Sequence, residues 1–192
     1  MQILSLILIV LLFSLPIQER ISGNVRISGN INISTAVVTS GNPFILTQTL
    51  GTPLSNFDGA IGFVFMVGGS NITVTNLGRW KIAGNSAIHT VSIYDNGNVL
   101  VVSASVDMST GSAGSYVYAS ITPTVLTSGL TYKILSCEVN GGDQWYNDNT
   151  TVDSVASFAT ITSSCFQISC SGSITPNAVG AFTYVPVNFK VP

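Results

Sequence analysis

The sequence predicts an all-β protein: an antiparallel, jelly-roll-like β-sandwich with a long N-terminal strand. Three observations predict it. Charged residues are 7% of the chain and hydrophobic ones 46%, whereas disordered segments are polar and highly charged. From Val38 onward, short apolar-rich runs are broken by turn residues. After residue 18 no stretch carries a convincing helical period. The 192 residues suffice for one domain with extensions and a buried core.

The first element is the apolar stretch MQILSLILIVLLFSLPIQ. As a helix its roughly fifteen apolar residues span about 22 Å, short of the ~30 Å hydrocarbon core. Residues 1–17 therefore read as a secretory signal. No Lys or Arg precedes the run and no small-x-small site precedes Glu19, so a retained hydrophobic segment is the other reading. Either one sends the chain out of the cytoplasm. The expected location is secreted or cell-surface, with membrane contact only during export.

Residues 18–38 form an N-terminal extension around RISGNVRISGNINIS, Arg20–Ser34, which repeats RISGN. Ile21, Val25, Ile27, Ile31 and Ile33 share one face with Gly23 and Gly29. Ser22, Asn24, Arg26, Ser28, Asn30 and Asn32 share the other. Such a strand is about 43 Å long, against about 17–20 Å for a typical one. Burying its five apolar side chains contributes on the order of 7–15 kcal/mol before ordering costs. Left exposed, it is an aggregation edge. The expectation is that a second copy of the chain receives it by β-strand addition, head-to-tail, building a filament. The plainer reading is a long first strand of its own domain, bent at Gly23 or Gly29.

Residues 39–192 form the sandwich. The predicted strands are Phe44–Thr49, Ala60–Val67, Ile72–Leu77, His89–Tyr94, Val99–Val106, Ser115–Ile121, Thr131–Val139, Val155–Thr162 and Phe182–Val187. Asn96-Gly97 between two of them suits a type I′ turn, so the flanking runs should pair.

Three cysteines, Cys137, Cys165 and Cys170, and one histidine, His89, match no zinc spacing. Cys165 and Cys170 bracket a short stretch and are the candidate disulfide; buried free thiols are the other reading. The net charge of −2, with no basic patch, gives no argument for nucleic acid.

From about Gly59 to the C-terminus the chain carries LGRW (77–80), HTVSIYD (89–95), SAGSYVYASI (112–121), LTSGLTYKILSCEVNGGDQWY (126–146) and YVPVNF (184–189). These stretches resemble a β-sandwich module of secreted bacterial proteins. The resemblance implies display or binding rather than catalysis. The N-terminal strand is similar in architecture, not in sequence, to the donor strands of chaperone–usher pilins and archaeal adhesive threads.

The loop EVNGGDQWYNDNTT is the candidate ligand site. Glu138, Asp143, Asp148 and Asn149 offer oxygens for Ca²⁺, the one candidate cofactor. Trp145 and Tyr146 offer ring faces for a sugar. The structural reading has Trp145 plugging one end of the sandwich and Asp143 capping backbone N–H groups. His89 reads as a hydrogen-bonding structural residue, and Trp80 as a core aromatic between solvated Arg79 and Lys81. Asn32, Asn71 and Asn149 head glycosylation sequons. No Gly-x-Ser-x-Gly elbow or nucleophile–base constellation points to an enzyme. The expected function is a filament or pilus subunit whose partners are copies of itself. The alternative is a monomeric secreted module that binds carbohydrate or calcium.

Overall fold

Phe44, Phe63, Phe65 and Phe189 meet at the centre of the molecule, Phe44 stacking on Phe189 at 4.7 Å between ring centroids. They come from three separate stretches, Phe63 and Phe65 sharing one strand whose odd-numbered side chains face the same side. The computed structural model describes residues 41–147, 150–177 and 186–192, within a compact unit spanning Val38–Pro192. The hydrophobic run 1–17 and the donor residues Ile21, Val25, Ile27, Ile31 and Ile33 lie outside the described residues.

The described chain is all-β. Its strands are β1 (Asn42–Pro43), β2 (Ile45–Thr49), β3 (Thr52–Leu54), β4 (Gly59–Val67), β5 (Ile72–Lys81), β6 (Ile88–Asp95) and β7 (Leu100–Asp107). There follow β8 (Ser115–Leu126), β9 (Thr131–Glu138), β10 (Trp145–Asn147), β11 (Thr151–Ser154), β12 (Ala159–Ile168), β13 (Ile174–Pro176) and β14 (Val187–Val191). A six-stranded sheet runs β13-β12-β4-β9-β6-β7, and a four-stranded sheet runs β1-β14-β5-β8. The short pairs β10-β3 and β11-β2 complete it. Every pairing is antiparallel.

The main core lies between the two large sheets. Phe63, Phe65, Val91, Ile93 and Ile134 face it from one, and Val74, Leu77, Val187 and Phe189 from the other. A second, smaller cluster of Ala60, Val64, Leu135, Cys165 and Ile174 involves the opposite side chains of β4. Gly62 sits among them because a Cβ there would run into the Ile134 carbonyl of β9.

Three local expectations need correction. The predicted strand Val155–Thr162 is displaced: Phe158 N–H donates to the Val155 carbonyl in a turn, and β12 then runs on to Ile168. The β6–β7 hairpin forms, but its left-handed residue is Asn98 (φ 66), not Gly97. Asp95 Oδ1 accepts the Val99 N–H at 2.9 Å, and Lys133 Nζ donates to the Asn96 carbonyl and to Asn98 Oδ1. These ties favour a longer turn in which Asn98 takes positive φ.

The third correction concerns the cysteines. Cys137 bonds to Cys170 with 5.5 Å between Cα atoms, and Cys165 is a buried free thiol. From Cys165 to Ile168 the strand already carries the chain about 10 Å, beyond the ~7 Å reach of a disulfide. Ser169, at φ 55, then turns the chain back across the sheet toward β9. Gln167 Nε2 closes that turn on the Gly172 carbonyl. Burial pushes the Cys165 thiol up to about 12.

Candidate functional site

The loop after β9 was the strongest ligand candidate, and most of its chemistry is turned inward. Arg79 on β5 and Glu138 on β9 belong to different sheets, and both side chains are 0% exposed. Arg79 Nε donates to Glu138 Oε1 at 3.0 Å, and Nη2 donates to Oε2 at 2.7 Å. Ser136 Oγ adds a 2.6 Å bond to Oε1, and Arg79 Nη2 also reaches the Gln144 carbonyl at 3.2 Å. A two-pronged guanidinium–carboxylate pair with added donors is the arrangement that a buried charge requires.

His89 continues the network. Its Nδ1 lies 2.8 Å from the Cys137 carbonyl and 3.3 Å from Glu138 Oε2, and its Nε2 lies 3.2 Å from Asp143 Oδ2. Asp143 also accepts the Ser86 N–H at Oδ1 and the Ala87 N–H at Oδ2. Burial raises its pKa, but the Ser86, Ala87 and His89 donors outweigh that and hold the carboxyl below its ordinary value. Asn85 and Gln144 exchange a reciprocal pair of bonds, at 2.8 and 3.0 Å.

The sequence-predicted residues therefore separate. Glu138 and Asp143 belong to one hydrogen-bonded network that joins the loop to the sandwich. Trp145 is 4% exposed and pairs, on β10, with Leu54 of β3. It lines a cleft of about 390 Å³ with Phe57, Ile61 and Phe166. Tyr146 is half-buried beside Pro53. Asp148, Asn149 and Asn32 lie outside the described residues. Asn71 is exposed at the turn before β5, where its Oδ1 accepts the Ser128 N–H. Its Nδ2, the atom a glycan would occupy, is the other end of the amide.

Sequence reasoning missed Arg79 and Asn85 as network members. The signal for Arg79 was in the pattern: period-two alternation from Leu77 turns Arg79 inward and Trp80 outward, where Trp80 packs edge-on against Tyr116 at 5.0 Å.

A second surface emerges where both sheets end together. β7 terminates the six-stranded sheet and β8 the four-stranded one, and the two strands touch across the sandwich. Val102 and Ala104 on β7, with Val117, Ala119 and Ile121 on β8, pack on the core but are only partly covered. The result is a half-open apolar seam, beside which Val99, Leu100 and Val101 are 63%, 53% and 36% exposed.

No protein-family model matches the chain, and no curated protein matches it.

Proposed function

We propose that this chain is the structural subunit of an extracellular homopolymer, built head-to-tail when the Arg20–Ser34 strand of one copy joins the sandwich of the next. The observation that carries the reading is the seam between β7 and β8. It is apolar, half-covered, and lies where two sheets end among the described residues. The donor face of Ile21, Val25, Ile27, Ile31 and Ile33 is the complementary surface. Adding a strand there satisfies backbone donors and acceptors and extends the apolar interior in one step. Export to an oxidising compartment fits the Cys137–Cys170 disulfide, and glycans at the sequons would keep a weakly charged surface soluble.

The alternative, a carbohydrate- or calcium-binding module, has less support. Trp145 offers little open ring face, and Glu138 is already engaged by Arg79.

The test is electron microscopy of native full-length protein beside the variant Ile27→Asp/Ile31→Asp. Filaments from the native chain and monomers from the variant support the reading. Filaments from both overturn it.

A further inference from the structure

Among the described residues, four strands end the two large sheets: β1 and β8 in one, β13 and β7 in the other. Three of them carry features that discourage further pairing. β1 has two residues and contains Pro43. β13 has three and contains Pro176. β8 contains Pro123, and its register against β5 shifts between Val74 and Asn76. Proline supplies no N–H, and short or irregular edges are how sheets avoid unwanted neighbours. β7 shares only one of them, a register shift against β6 between Ile93 and Tyr94 near its first residues, and its ladder is regular from Val102 to Asp107. Its eight residues, LVVSASVD, include no proline and no charge before Asp107.

We propose that the free side of β7 is the acceptor for the Arg20–Ser34 strand of a second copy; this rests on the homopolymer reading above. The backbone is suitably presented. Met108 N–H donates to the Ala87 carbonyl at 2.9 Å, just beyond the end of the β6–β7 ladder. Antiparallel alternation from that bond turns the backbone groups of Val102, Ala104 and Val106 toward β6, and those of Ser103 and Ser105 outward.

Charge favours the same edge. A donor on β7 with its apolar face inward places Arg26 on the sheet face that carries Asp107. Beside β8 the corresponding face carries Lys190 of β14, whose Nζ lies 4.4 Å from the centre of the Tyr118 ring. The path of the chain adds a third argument. β1 lies at the edge of the four-stranded sheet opposite β8, and β7 lies on the β8 side. β1, the first described strand, and β7 thus lie on opposite flanks, which suits a head-to-tail contact between copies.

The test uses full-length protein. Ser103→Pro/Ser105→Pro removes two outward N–H groups from β7, and Ser120→Pro changes the β8 edge as a control. Separately, a Ser28→Cys chain is mixed with Val101→Cys, Ser103→Cys or Ser105→Cys chains and oxidised. The expected result is a more than tenfold loss of polymer for the β7 variant, near-native polymer for Ser120→Pro, and an intermolecular disulfide from position 28 to at least one β7 position. Native-like polymer from the β7 variant, or filaments without any such cross-link, overturns the β7 assignment and leaves the homopolymer reading intact. If the β7 variant fails to fold, the cross-links alone decide. A native chain that stays monomeric in all arms overturns both.

Discussion

Arg79 on one sheet grips Glu138 on the other through two hydrogen bonds, of 3.0 and 2.7 Å, with both side chains fully buried. The pair ties the sheets together at the end of the sandwich where the loop from Val139 to Gln144 folds back. Its members are 59 residues apart in sequence.

Removing one partner should be far worse than removing both. Glu138→Ala strands a buried guanidinium and should cost about 3–5 kcal/mol. Arg79→Met with Glu138→Leu should recover most of that loss, since an apolar pair of similar volume needs no desolvation. Urea midpoints of the three proteins check it; equal losses for single and double variants would count against a shared network.

Asp143 sets an acid dependence. Its folded-state pKa lies below the ordinary 3.8. Its contribution to stability is therefore fully present above about 3.8 and disappears as pH falls through the folded value. The native urea midpoint should drop between about pH 5 and pH 2 more steeply than that of Asp143→Asn. Parallel curves would show that Asp143 is not the titrating group.

The disulfide closes a separation of 33 residues. Cys170→Ser should destabilise by about 3–4 kcal/mol on chain-entropy grounds. In the oxidised native protein, iodoacetamide at pH 8 should leave Cys165 unlabelled until denaturant is added, because burial holds that thiol near 12. Rapid labelling of the folded protein would be the adverse result.

Asn98 holds a left-handed backbone and a 2.6 Å bond from Lys133. Asn98→Ala should cost about 1–2 kcal/mol in the backbone alone, and Asn98→Gly less, since glycine adopts this conformation freely. Thermal unfolding of both variants separates the backbone contribution from the lost side-chain bond.

Much of the strand inventory was legible because alternation is a local property. His89–Tyr94 could be read from its alternation, and Ala60–Val67 from a short apolar run that is buried on both faces. Their neighbours could not. Nothing local in Cys165 and Cys170 reveals that an intervening strand carries them apart, or that a turn at Ser169 brings Cys170 to Cys137. Arg79 was misjudged because charge was taken as a sign of exposure, while its parity with Leu77 pointed inward. Glu138 and Asp143 were grouped by spacing as part of a candidate ligand loop. Their role was not evident, since Arg79 and His89 arrive from other strands. Pro43, Pro123 and Pro176 were visible as residues but acquired meaning only once the sheet order placed each on an edge.

One further consequence follows from the pairing of Asn42 with Val191. The first and last strands of the sandwich are neighbours, so its two ends emerge side by side. A short peptide joining them would make the fold topologically a ring, and the ring could be reopened at an exposed turn such as 109–114. The sandwich thus has no privileged starting point. The order of its strands along the gene is one of several that the same packing would accept.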